Sequence, residues 1–265
     1  MDTGSHLTGS LHFSPWDLAL IVGVSLHATT IAYLHEPRWK ALVLTLPVPF
    51  TLASQSVGLR VDATNVAALV LLMGYTCGVY LLHARWRAPI VPAVVLCAAG
   101  YCGLAALVAP HLPRSEAAFW ALAATVFVAA VAAYRAMPLR EEPGHRSPLP
   151  VYLKLPIIAG VIFILVIIKQ HLHGFMTLFP MVGVVACYEG RHCLWTLCRQ
   201  IPVLAMTLLP MMATMRLIYP VAGIGWALAA GWCVFLAVLI PFTRWQMGRE
   251  PAKWADMQEG LNAGA

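Results

Sequence analysis

The sequence predicts an all-α bundle of membrane-spanning helices. Three observations carry that prediction. Only 11% of the 265 residues are charged, while 60% are apolar. The apolar residues gather in runs long enough to cross a bilayer, and the charged residues fall almost wholly between the runs. A soluble domain carries roughly 25% charged residues, so a mean hydropathy of +0.77 excludes a cytosolic enzyme and a disordered chain. The formal charge of +6 invites a nucleic-acid partner until the positions are read. Because the basic residues flank apolar runs, no nucleic acid is expected, and the lipid bilayer is the partner the composition implies. Runs such as AALVLLMGY lack the alternation of a membrane β-barrel strand.

A hydrocarbon core about 30 Å thick needs about 20 helical residues, since every backbone amide in it must be satisfied within its own segment. Nine segments qualify: 15–34, 39–57, 64–82, 89–108, 116–134, 151–170, 174–188, 193–217 and 221–242. No Lys or Arg precedes the first, so it lacks a cationic leader region and is expected to be retained. Basic residues punctuate the rest. Arg38 and Lys40 lead into the second segment, Arg60 separates it from the third, Arg85 and Arg87 precede the fourth, and Arg114 precedes the fifth. The stretch RAMPLREEPGHRSPLP then reads as a cytoplasmic linker, rich in Pro and charge. Lys154 and Lys169 bracket the sixth segment, Arg191 precedes the eighth, Arg216 closes it, and Arg244 follows the ninth.

Short cytoplasmic loops accumulate Lys and Arg. With the N-terminus outside, twelve basic residues fall on the cytoplasmic side, against four (Arg60, Arg114, Lys169 and Arg216) on the other. That asymmetry predicts nine crossings of the cell inner (plasma) membrane, with the C-terminus in the cytoplasm. Seven cysteines, all in or beside apolar runs, imply no disulfide framework.

An internal duplication is expected as well. Lys40 and Lys154 each lead into a span, Pro92 with Pro110 matches Pro202 with Pro220, and WALAA recurs at Trp120 and Trp226. The order is preserved at offsets of 114, 110 and 106, so the chain divides into an N-terminal tail and extra helix (1–35), a four-helix unit (36–135), a linker (136–149), a second four-helix unit (150–245) and a cytoplasmic tail (246–265). An even number of spans between the units makes them parallel repeats. The second unit, with KLPIIAG, GFMTLFPMVGVVACYEG, a Pro-containing span and WALAA, resembles the small four-helix GlpM-like inner-membrane proteins. The resemblance covers about 95 residues of the second half and implies a polytopic inner-membrane protein, with no chemistry attached.

Polar groups retained within spans are functional candidates, because a charge near a helix centre costs about 2.5–3.5 kcal/mol on insertion scales. Gln55, Asn65, Lys169 and Gln170 lie towards the outer side and Glu189 and Arg199 towards the cytoplasm, and together they are expected to line a substrate path, with Arg199 paired to Glu189. Pro47, Pro49, Pro180 and Pro210 are expected to break helices, as transporters do around midplane sites. Cys187, Glu189, His192 and Cys193 offer metal-ligating atoms, but neither CxxC nor HxxxH spacing. Cys97 and Cys102 stand roughly 140° apart on one helix, and the methionines of 206–215 read as adaptable packing. No cofactor is called for.

These features favour a transporter or permease for a small solute between the two repeats. The alternatives are an accessory or structural membrane subunit and, less favoured, a membrane-embedded enzyme acting on lipid or quinone. The paired aspartates of prenyl transfer are absent, which weighs against enzyme chemistry.

Overall fold

A computed structural model describes residues 15–58, 60–113, 115–145, 149–169 and 173–263. The described residues are helical, with no strand among them. In order, the helices are α1 (Pro15–Tyr33), α2 (Pro37–Thr45), α3 (Val48–Val57), α4 (Ala63–Tyr80), α5 (Ile90–Val108), α6 (Glu116–Ala136), α7 (Val151–Lys169), α8 (Met181–Glu189) and α9 (Leu194–Ala263). A π-turn (Leu81–Arg85) extends α4, and a 3₁₀ segment (His173–Leu178) precedes α8. Among the described residues, five helices are long and apolar enough to cross a membrane, and α7 supplies a shorter apolar stretch.

Local chemistry explains where the helices start and stop. Pro15 and Pro37 stand at the first helical position, where a missing N–H is no loss. Asp62 and Asn65 form a reciprocal capping box on α4, Asp62 accepting from the Thr64 N–H and Asn65 from the Asp62 N–H. Ser115 caps α6 through the Ala118 N–H. In α9, Gly223 at φ 73° and ψ 179° separates two arms, a backbone that only glycine adopts cheaply.

Two apolar segments are interrupted. Between α2 and α3, Leu46 is extended (ψ 127°) because Pro47 disfavours helical backbone in the residue before it. Between the 3₁₀ segment and α8, Pro180 stands at the N-cap. The expected breaks at Pro49 and Pro210 fall elsewhere in the geometry. Pro49 lies in the first turn of α3, where it removes no helical bond, and Pro210 sits within α9, whose one non-helical residue is Gly223.

Contacts between helix ends sort them into two opposite faces. On one, the Tyr33 hydroxyl at the end of α1 donates to the Leu149 carbonyl before α7, and Lys154 of α7 meets Glu189 at the end of α8. On the other, Ser56 of α3 donates to Asp17 of α1 at 2.7 Å, and Arg216 of the first α9 arm meets Glu116 of α6 and the Val61 carbonyl before α4. We call these the Glu189 face and the Glu116 face. Six exposed tryptophans lie near helix ends: Trp39, Trp86 and Trp245 towards the Glu189 face, and Trp16, Trp120 and Trp226 towards the Glu116 face. Between these two girdles the exterior is aliphatic, with Val22, Leu26, Val95, Leu104, Val128 and Ile164 all exposed. Paired aromatic belts around an apolar band are how a protein meets a bilayer.

The interior uses small residues where helices approach closely. Ala28, Ala32, Ala53 and Ala68 are fully buried, and a Cβ on Gly23 of α1 would sit 2.5 Å from Leu52 of α3. The methionines at 181, 206, 211, 212 and 215 are buried in the same core.

The segment after α6 is anchored. Glu142 accepts from the Trp195 and Thr196 N–H groups at 3.0 and 2.6 Å and from the Thr196 hydroxyl at 2.6 Å, so it caps α9 across a sequence gap of over fifty residues. Arg140 stacks on Trp195 at 4.0 Å and donates to the Tyr80 hydroxyl. Replacing Glu142 by Ala removes a charged cap, with an expected cost of about 1–2 kcal/mol. Limited proteolysis of the purified protein should then cleave faster between Met137 and Pro150. An unchanged cleavage rate would show that the cap does not hold the segment.

Candidate functional site

The two interruptions face one another. Leu44, Leu46, Pro47 and Phe50 from the first, and Thr177, Phe179, Pro180 and Gly183 from the second, line one space of about 60 Å³, completed by Leu72 and Thr76 of α4 and Ile201 and Leu204 of α9. The walls are apolar, but the backbone at both breaks is not, because an interrupted helix leaves carbonyls and amides without intrahelical partners. One is served from a neighbouring helix. The Tyr101 hydroxyl of α5 donates to the Phe175 carbonyl at 3.0 Å.

A second, larger cavity of about 410 Å³ opens on the Glu189 face. Its lining includes Glu36 and Arg38 before and within α2, Glu141 and Glu142 of the anchored segment, and Arg199 and Gln200 of α9. Successive positions serve the two spaces: Leu42 lines the outer vestibule and Leu44 the central cavity, as do Gln200 and Ile201. Between them the Gln200 amide donates to the Thr45 hydroxyl at 2.5 Å. Beyond the central cavity, the Asn65 amide donates to the Thr177 hydroxyl at 2.7 Å. Past that bond lies the Glu116 face, where Glu116 binds Arg60 at 2.8 Å and Arg216 at 2.9 Å.

The sequence candidates are distributed unevenly over this geometry. Asn65 is buried, serving both the α4 cap and Thr177. Arg199 lines the vestibule, but its expected ion pair with Glu189 is replaced by other partners: its Nε donates to the Met137 carbonyl at 3.2 Å, and its guanidinium lies 4.6 Å from the Tyr134 ring centroid. Glu189 lines neither cavity. It pairs with Lys154 at 2.6 Å, while Lys40 donates to its backbone carbonyl at 3.3 Å. Chain proximity pointed to Arg199, yet the partners of Glu189 come from α7 and α2. Gln55 is half-buried in α3 and lines neither space. The Lys169 side chain and all of Gln170 lie outside the described residues.

The metal-ligating candidates do not converge, and no group of three His, Cys, Asp or Glu side chains with metal-binding placement occurs among the described residues. Cys187 and Cys193 are buried, whereas His192 is exposed on the turn after α8, its ring 4.9 Å from that of His145. Desolvation, reinforced by the Arg191 charge, holds both imidazoles below the usual histidine range. Among the described residues no third ligand joins the pair.

Sequence reasoning missed Thr45, Thr177 and Gln200, since neutral hydroxyls and amides are cheap enough in helices to escape a search built on ionisable groups. No family model, no curated protein and no solved structure matches the chain.

Lys40, Lys154 and Glu189 are all at most 5% exposed, so their charges meet one another and little water. Removing one partner of a buried pair costs about 3–5 kcal/mol. Glu189→Gln should therefore lower the thermal midpoint of the detergent-solubilised protein by roughly 10 °C. A midpoint within a degree of the parent would show that the two ammonium groups do not depend on this carboxylate.

Proposed function

We propose that the chain is a transporter or permease for a small solute, with its site in the central cavity and its entry through the vestibule on the Glu189 face. One observation carries the reading: two proline-interrupted helices, from different halves of the chain, line the same space. Discontinuous helices meeting within a bundle are how membrane carriers offer backbone dipoles to a solute in a low-dielectric setting. Irregular backbone is tolerated at that depth where it is buried in protein or lines a cavity. A purely structural subunit gains nothing from two such breaks.

In this reading the chain crosses the inner membrane nine times. Four of the nine crossings come from interrupted or paired helices: α2 with α3, the 3₁₀ segment with α8, and the two arms of α9, which count as two. The Glu189 face is the cytoplasmic one, because Arg38, Lys40, Arg140, Lys154 and Arg191 gather there. The amino end then lies outside and the carboxyl end in the cytoplasm. Arg199 and Gln200 meet the solute first, and the apolar walls beyond them favour a solute that is small and only partly polar.

The test is flux in reconstituted vesicles against a panel of inorganic ions, amines, sugars and organic anions. Ala186 lines the central cavity and is buried, so Ala186→Leu fills it. A solute carried by the parent should not be carried by Ala186→Leu protein of equal abundance. Silence of the parent across the panel, or equal flux through the filled variant, would sink the reading.

A further inference from the structure

The two bonds that flank the central cavity are reciprocal. Thr45 stands just before the first interruption, in Thr45-Leu46-Pro47, and Thr177 just before the second, in Thr177-Leu178-Phe179-Pro180. Each accepts from an amide near the start of a long helix, and that helix belongs to the other half of the chain: Gln200 of α9 reaches Thr45, and Asn65 of α4 reaches Thr177. The amide follows its own half's threonine by 20 residues in one case (Thr45 to Asn65) and 23 in the other (Thr177 to Gln200).

The surrounding elements repeat in the same order. α1 precedes one interrupted segment and α7 the other, and these two helices pack together with the end of α1 beside the start of α7. α2 packs along α9, and the 3₁₀ segment packs along α4. α4 and the first arm of α9 also meet, the start of one beside the end of the other through Arg216 and Val61. Each of these three matched pairs runs in opposite directions, so the correspondence is an inverted one; carried on, it sets α5 against the second arm of α9 and leaves α6 as the extra element of the first half. The parallel pairing expected from Lys40 and Lys154 sets the interrupted α2/α3 against the continuous α7, and the continuous α4 against the interrupted 3₁₀/α8. The inverted pairing brings both interruptions into register.

We infer that residues 15–108 and 151–246 form an inverted repeat, and that Thr45–Gln200 and Thr177–Asn65 are its two equivalent gates, one on each side of the central cavity. The inference rests on the transport reading for its purpose, but not for its test. In an inverted repeat the two halves exchange conformations between the inward-open and outward-open states, so the gates open in alternation. Thr45–Gln200 then closes the cavity towards the vestibule, and Thr177–Asn65 closes it towards the Glu116 face.

Cys187 lines the central cavity and is buried, which makes it a native reporter. In a variant that keeps Cys187 and has the other six cysteines replaced, a membrane-impermeant maleimide is applied to either face of vesicles of known orientation. Thr45→Val should raise the labelling rate from the Glu189 face alone, and Thr177→Val from the Glu116 face alone, each by about fivefold, the factor expected from deleting one net hydrogen bond in a closed state. Thr45→Ser and Thr177→Ser, which keep the hydroxyl, should label like the parent. Both valine variants opening to the same face, or neither changing the rate in monodisperse protein, would overturn the gates. Alternating labelling without flux of any solute would instead remove the transport reading and leave the gates standing.

Discussion

In a hydrocarbon environment a backbone N–H or C=O without a partner costs several kcal/mol, and this constraint organises the molecule. A continuous helix meets it alone. An interrupted one cannot, so α2/α3 and 3₁₀/α8 must be enclosed by helices that supply partners. The enclosure is visible atom by atom: Tyr101 serves Phe175, and the Leu46 N–H turns back to Val43. α1, α4, α5 and the first arm of α9 surround the two breaks, and the lipid-facing positions fall to the outward sides of α1, α5, α6 and α7, where Leu26, Val95, Val128 and Ile164 are exposed.

Much of this was legible in the sequence because it follows from composition along the chain. Apolar run length marks the helices, and Pro47 and Pro180 mark the interruptions, since proline both lacks a donor and constrains its neighbour. Proline alone did not separate a break from a bend: Pro49 sits where a helix begins and Pro210 where one continues, a difference set by the neighbours packed on each side. Pairings across the bundle were hidden. Glu189 lies ten residues from Arg199 in sequence but is bonded to Lys154 and reached by Lys40, partners that only the return of α2 and α7 to the same face brings near. The recurrence of Lys40 and Lys154 was visible as a repeat marker, while their meeting at Glu189, one on its backbone carbonyl and one on its carboxylate, was not. Glu142 capping α9 is a similar case, because a linker rich in Pro and charge carries no sign of the helix end it will meet.

The candidate site was legible only in part, for a related reason. Asn65 and Arg199 stood out as polar residues at span ends, and both take part in the described geometry. Thr45, Thr177 and Gln200 did not, because a hydroxyl that can bond its own helix backbone, as Thr45 does to Ala41 at 2.9 Å, is unremarkable in a membrane helix. Their meaning comes from where the chain interrupts itself.

The two faces are closed by different chemistry. Towards the Glu116 face, Arg216 is 4% exposed. It is bound to both the Glu116 carboxylate and the Val61 carbonyl, with Arg60 on the same carboxylate, so three elements must part together for that side to open. Charge-assisted bonds are roughly twice as strong as neutral ones. Towards the vestibule, α2 and α9 are joined by the neutral amide–hydroxyl bond at Thr45. The buried cations on that face instead tie the start of α2 and the start of α7 to the end of α8, leaving α9 outside the ionic cluster. The ionic ties therefore clamp one half of α2 and the end of α8 as a unit, while the α2–α9 seam beside the open vestibule is held by the weaker class of bond.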